Sequence, residues 1–286
     1  MTPFAIAGLQ LSLDTHADNS ARIAAGVAST VEHFPFVQMV LLSELATFGS
    51  STRYAQPLPG AVEERYTALA RAHRIWLVPG TLLEKAADGC VYNTATVIDP
   101  TGAVVARYRK LFPFLPYEEG VAAGDGFCVF DVPEVGRFGV SVCYDLWFPE
   151  TTRTLAAMGA EVILHPVMTT TIDRDIELAM TRASAAANQC FIFSVNGAGG
   201  GGNGRSVVCG PTGDVLYQAG EGEQVIPLEL DLDVVRRNRE LGLWGLGQPL
   251  KSFRDRKVDF TVFDRNAPGF ERLHALGPLQ KQTRKE

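Results

Sequence analysis

Three polar residues close apolar, strand-like runs: Glu44 in VLLSELATFG, Lys110 in VVARYRKLFPF and Cys143 in VSVCYDLW. A carboxylate, an ammonium and a thiol make a set suited to nucleophilic acyl transfer. The thiolate attacks, the carboxylate moves protons and the cation holds an oxyanion. Strand C-termini are where α/β sheets build their sites. Taken singly, each residue type has a plainer role. A cysteine ending a strand commonly packs as a small apolar residue, and a lysine or glutamate there is commonly a solvated charge. Spacing alone does not bring the three together.

The elements that must position them alternate between short apolar runs and helical stretches. FAIAGLQ reads as a strand, and VQMVLLS as a strand buried on both faces. NSARIAAGVASTVEHF reads as a helix capped by Asp18 or Asn19. AVEERYTALARAHR is amphipathic, with Glu63, Glu64, Arg71 and Arg74 on polar positions. IWLVPGTLLE reads as one strand. CVYNTATVIDPTGAVVARYRK reads as two strands around the turn Asp99-Pro100-Thr101-Gly102. FGVSV, EVILHPV and CFIFSVN are further strands. Helices are expected from Pro149 to about Met158 and from about Asp173 to Asn188. The glycine run GAGGGGNGRS leads into a strand and lacks a GKS or GKT ending, so a surface loop fits it better than a phosphate loop. No linker, low-complexity tract or clear repeat stands out. One α/β domain over residues 1–286 is the economical reading, with a core of about 3–235 and a tail of about 241–286.

Composition bounds the function. The chain has 286 residues, 46% of them hydrophobic, enough for a large core. A net charge of −6 supplies no basic field for nucleic acid or anionic lipid. No apolar stretch approaches the roughly 18 residues that a membrane span needs. MTPFAIAGLQLSLDTHADNS has no positive region ahead of its apolar run, so it does not read as a secretory signal. The five cysteines, Cys90, Cys128, Cys143, Cys190 and Cys209, are odd in number and form no CxxC pair. That argues against a disulfide framework or zinc site and for a reducing, cytoplasmic setting. The four besides Cys143 read as inert core thiols.

Several segments, in order, resemble the carbon–nitrogen hydrolase family, also called the nitrilase superfamily. They are SELATFG, YNTATVIDPTGAVVARYRK, VSVCYDLWFPE, RASAAANQCFIFSVN and GNGRSVVCGPTGDVL, with LWGLGQPLKSFRDRKVDF as a looser match. Together they span most of residues 4–235. The resemblance implies a four-layer α-β-β-α sandwich with Cys143 on a tight turn between strand and helix. It implies Glu44 as general base, Lys110 as oxyanion-stabilising lysine and Cys143 as nucleophile. A second glutamate follows the lysine in this family. Glu118 is favoured here on the match to PYE, with Glu119 as the alternative. The Tyr144 backbone N–H is the natural second oxyanion donor. No metal or organic cofactor is implied. The family's assembly habit implies a homodimer or higher homo-oligomer, with the tail at an interface.

The family cleaves nitriles, amides or N-carbamoyl groups. CYDLWFPE resembles the amidase and carbamoylase branches more than nitrilases, whose motif usually reads Cys-Trp-Glu. A small carboxamide is therefore the expected substrate, with a carbamoyl compound as the alternative. Tyr144, Trp147 and Phe148 could give the pocket an aromatic wall. His165, Thr169 and Thr170 follow the next strand and could line it, while Arg182 and Asn196 read as structural. Three rivals stand against this: a Cys143–His165 hydrolase, a catalytically silent binding module on the same fold, and a redox-sensing Cys143.

Overall fold

Alternation along the strands sorts the apolar side chains into three layers. The computed structural model describes residues 1–264 and 268–281 of the chain. On β1 (Pro3–Gln10), Phe4 and Ile6 face one way, and Ala7 and Leu9 the other. On β2 (Met39–Leu42), Met39 and Leu41 oppose Val40 and Leu42 in the same manner. The first set meets Phe138, Val140, Leu164 and Phe193 between two sheets. The second set packs on Ile23 and Val27 of α1 (Ser20–His33) and on Val62 and Tyr66 of α2 (Ala61–His73). A third layer joins Ile163 and Ile192 to Leu155 of α3 (Pro149–Ala157) and Leu178 of α4 (Asp173–Asn188). Helices, sheet, sheet and helices thus stack in four layers, as the resemblance implied.

The remaining strands are β3 (Trp76–Val78), β4 (Thr81–Lys85), β5 (Val91–Ile98), β6 (Val104–Arg109), β7 (Cys128–Val132), β8 (Gly136–Val140), β9 (Val162–Val167), β10 (Phe191–Asn196), β11 (Val207–Cys209), β12 (Val215–Gln218) and β13 (Gln224–Asp231). The seven-stranded sheet runs β13-β1-β2-β3-β5-β4, with β6 also on β5; the six-stranded sheet runs β12-β11-β10-β9-β8-β7. Each holds three parallel strands joined by helices: β1-α1-β2-α2-β3 in one, and β8-α3-β9-α4-β10 in the other. The architecture therefore repeats although the sequence shows no repeat. What recurs is the order of elements and the layering, which many residue sets satisfy.

Four sequence expectations need correction. IWLVPGTLLE is two strands, because Gly80 turns at φ 74 and sends β4 to pair with β5. A Cβ on Gly80 would lie 1.8 Å from the Ser43 carbonyl oxygen, so glycine lets this turn press on the loop after β2. Glu63 is buried rather than polar-facing. The Arg107 guanidinium donates to it at 2.8 and 2.6 Å and the Thr96 hydroxyl at 3.2 Å, partners on strands beneath α2. Cys90 is exposed in the turn between β4 and β5, whereas Cys128, Cys190 and Cys209 are buried. The tail holds helices where no periodicity was visible: α5 (Leu232–Leu241) leads into it, followed by α6 (Pro249–Asp255) and the short α7 (Glu271–His274). Its residues 265–267 and 282–286 lie outside the described residues.

The sheets approach closely at β1 and β10. A Cβ on Gly8 would stand 2.7 Å from the Phe193 ring and 2.8 Å from Val195. Overpacking of this kind costs about 1–3 kcal/mol. Gly8→Val should lower Tm by roughly 2–5 °C in a calorimetric melt. An unchanged Tm would show that the sheets leave room for a side chain there.

Candidate active site

The polar residues singled out above come together where the strand ends of the two sheets meet. Glu44 lies two residues beyond β2, and its N–H donates to the Val167 carbonyl at the end of β9, 3.2 Å away. The next residue, Leu45, takes the left-handed conformation (φ 52), and its N–H donates to the Thr81 hydroxyl at 2.9 Å. Asn19 precedes α1, but the Asp18 carboxylate takes the Ser20 N–H. The Asn19 amide donates instead to the carbonyls of Ala46 (3.0 Å) and Thr47 (3.3 Å), holding the loop after Glu44. Lys110 directly follows β6, its N–H donating to the Asn93 carbonyl of β5 at 2.8 Å.

Cys143 opens a 3-10 turn, Cys143–Trp147, with a left-handed φ of 47. A non-glycine residue holds that conformation only where its surroundings over-determine it. Asp145 does so. It accepts the Val142 N–H and the Phe112 N–H, both at 2.9 Å, and the Tyr108 hydroxyl at 2.6 Å. One carboxylate thereby ties the cysteine turn to β6 and to the loop after Lys110.

Lys110 Nζ is 2.8 Å from Glu44 Oε1 and 2.8 Å from Glu118 Oε2. Asn93 Nδ2 donates to the same two glutamates, at 2.8 and 3.2 Å. Cys143 lines the same cavity as Glu44 and Lys110, close enough to feel the charge of both. Glu118 is therefore the glutamate that faces the lysine, while Glu119 is exposed. Lys110 is 1% exposed and Glu44 4%.

Burial dominates the electrostatics. It holds Glu44 above the ordinary carboxylate value, with Lys110 offsetting this only in part. It would push Lys110 down, but Glu44, Cys143 and Glu118 together hold the ammonium above its usual value. Burial, then the charge of Glu44, push the Cys143 thiol well up against the pull of Lys110. The nucleophilic form is thus not preformed by the lysine and the turn, as a simple field argument suggests. A thiol beside a proton-accepting carboxylate can lose its proton as it attacks.

The cluster floors a cavity of about 380 Å³. Tyr144, Trp147, Thr169 and Thr170 line it, as expected, and so do Phe114, Tyr117, Asp173 and Glu177. His165 does not. It is 1% exposed, and Nδ1 hydrogen-bonds the Ser141 hydroxyl and carbonyl, each at 3.2 Å. Its position on β9 turns it into the protein, and burial followed by Arg174 brings its pKa down to about 3. That is a poor base for Cys143. Arg182 donates to the Gly213 carbonyl and Asn196 is buried in a hydrogen-bond network, consistent with structural parts. Among the described residues no group of three or more His, Cys, Asp or Glu is placed to hold a metal ion. No described helix is long and apolar enough to cross a membrane.

Sequence reading gave no part to Asn93, Asp145 or Glu177. Asn93 and Asp145 lie inside the quoted segments YNTATV and VSVCYDLW, and a polar residue in an apolar run was the available sign. Their partners are 49 and 37 positions away, so no local spacing points to them.

The carbon–nitrogen hydrolase family profile matches residues 5–240. Human omega-amidase NIT2 is 27% identical, aligned over 94% of this chain and 100% of its own length. The formamidase of Bacillus cereus is 29% identical over 79% of this chain and 70% of its own. The crystal structure of an amidase from Nesterenkonia sp. superposes with a TM-score of 0.73 at 26% identity, covering 83% of this chain and 94% of that one. Further structures of that amidase show acrylamide added to its active-site cysteine and a cysteine-to-alanine variant with butyramide. The chain belongs to the carbon–nitrogen hydrolase family. Within it, this is an amidase-type enzyme acting on C–N bonds.

Lys110→Arg separates a point donor from a general charge. Guanidinium is planar and wide, and would pair with Glu44 in a fork that takes up both carboxylate oxygens. The variant should fold, yet kcat/KM should fall by roughly 10², about 2.7 kcal/mol of transition-state stabilisation. Steady-state kinetics within a few-fold of wild type would mean that Lys110 acts only as a source of field.

Proposed function

We propose that the chain hydrolyses a small carboxamide to a carboxylic acid and ammonia through a thioester on Cys143. The observation that carries this is the convergence of Cys143 and Glu44 on one cavity, with Lys110 clasped between Glu44 and Glu118 at its floor. Glu44 accepts the thiol proton as sulfur bonds to the carbonyl carbon. The oxyanion is held by Lys110 and by the Tyr144 N–H, one of the first N–H groups of a helical turn, which have no partner within it. Glu44 then protonates nitrogen, the C–N bond breaks and ammonia leaves. It next takes a proton from water, whose oxygen attacks the thioester. The C–S bond breaks, the acid departs and the proton returns to sulfur. Glu118 and Asn93 keep Lys110 and Glu44 aimed through both halves.

An ammonia-release assay over small amides, carbamoyl compounds and nitriles tests this. Amides should turn over, and Cys143→Ala should abolish turnover. Mass spectrometry of Glu118→Gln given substrate should find one acyl adduct, on Cys143. An adduct on exposed Cys90, or activity surviving in Cys143→Ala, would overturn the mechanism.

The whole chain is proposed to act as one catalytic unit that self-associates through its tail. Supporting this, the tail carries the large apolar side chains Trp244, Leu246, Phe263 and Leu276, each between 66% and 82% exposed, which an interface would cover. Light scattering should report a dimer or larger. A monomer at micromolar concentration would remove this part of the proposal.

A further inference from the structure

Above its floor the pocket has two unlike walls. One is aromatic. Phe114 and Tyr117 stack with centroids 5.0 Å apart, and Tyr144 sets an edge on Phe114 at 4.9 Å and lies 5.9 Å from Trp147. The other comes from the segment after β9 and the first turns of α4, and carries Asp173 and Glu177. Among the described lining residues the charged groups are four carboxylates, Glu44, Glu118, Asp173 and Glu177, and one cation, Lys110. Lys110 is committed to two of those carboxylates.

Arg174 lies close by but cannot serve a ligand. It is 1% exposed, does not line the cavity, and donates to Glu177 at 3.1 Å and to the Arg205 carbonyl at 2.8 Å. Glu177 is thus neutralised from behind, and its two oxygens also accept from the Thr169 hydroxyl. Asp173 differs. It is half-buried on the pocket wall, accepts from the Thr171 hydroxyl at 3.1 Å, and has no ion-pair partner among the described residues. The N-terminus of α4 would by itself favour an anion, but Asp173 and Asp175 in its first turn already answer that dipole.

We propose that the acyl chain of the substrate carries an ammonium group, held between Asp173 and the aromatic wall, so that the enzyme prefers aminoalkyl carboxamides. This rests on the amidase reading of the same site. A carboxylate rim concentrates cations at the mouth, and aromatic faces attract them further. The outer rim already meets one ammonium, with Lys281 Nζ 5.9 Å from the Tyr117 ring centroid. An acyl chain ending in a carboxylate would meet Asp173, and among the described lining residues the one cation, Lys110, is already paired.

Three amides of similar length test this: butanamide, 4-aminobutanamide and succinamate. In wild type, kcat/KM should rank the cationic amide about tenfold above the neutral one, with the anionic one lowest. Asp173→Asn should remove most of the cationic-to-neutral ratio, and Asp173→Lys should raise succinamate above 4-aminobutanamide. Added salt should narrow the ratio in wild type, a readout that needs no variant to fold. Equal rates on the cationic and neutral amides, or a ratio untouched by Asp173→Asn, would overturn the inference and leave the amidase reading standing. Succinamate as the best substrate would overturn it in favour of an anionic acyl chain. No ammonia from any of the three, with no acyl adduct on Cys143, would sink both.

Discussion

A lysine that is 1% exposed, held between two glutamates, is the interaction on which the site depends. Ions taken out of water each cost several kcal/mol, and such a cluster persists only if its geometry and hydrogen bonds are complete. Asn93 completes it by donating to both carboxylates. The cluster carries more negative than positive charge, so one carboxylate is biased toward taking a proton. Burial raises Glu44, the carboxylate whose charge acts on Cys143. A carboxylate so raised is suited to taking and returning a proton.

The fold supplies what that cluster needs, which is convergence of distant segments. Glu44, Lys110 and Cys143 come from three strand ends in two sheets, and the 3.2 Å bond from Glu44 N–H to the Val167 carbonyl joins the sheets there. Parallel strands joined by helices bring loops of one kind to one end. Two such units packed face to face bring two sets of those loops together. Gly8 permits the close approach along β1, and Gly80 lets a turn press on the loop that carries Glu44. The apolar core between the sheets and the ion cluster at its end are therefore parts of one arrangement. A shift in sheet spacing would move Glu44 relative to Cys143.

The layers, most strands and both helices of the second unit were legible because apolar periodicity reports burial directly. The triad was legible only through resemblance, since Glu44, Lys110 and Cys143 are 66 and 33 positions apart in turn and no local pattern links them. Where the reading failed, a long-range partner was the cause. Glu63 looked solvated on its own helix, and Arg107 lies 44 residues away. His165 sits on a strand whose side chains alternate, and the turn of one residue decides between pocket and core. Cys90 follows a turn-forming Asp88-Gly89, a sign of exposure in the sequence that its apolar neighbours outweighed.

Cys90 and Cys143 together show what makes a thiol useful here. Exposure alone does not, since Cys90 is open to solvent and Cys143 is 9% exposed. Nor is a low thiol pKa the device, because burial and Glu44 push Cys143 up. The sulfur is shielded, with Glu44 lining the same cavity and Lys110 paired to that carboxylate. On the proposed mechanism, adventitious electrophiles meet a thiol, whereas a bound amide meets a thiol, a base and an oxyanion donor at once. Such an arrangement makes reactivity conditional on occupancy. It also explains why Asp145 braces the turn so firmly: a strained cysteine backbone is tolerable only if the sulfur's direction toward Glu44 does not drift.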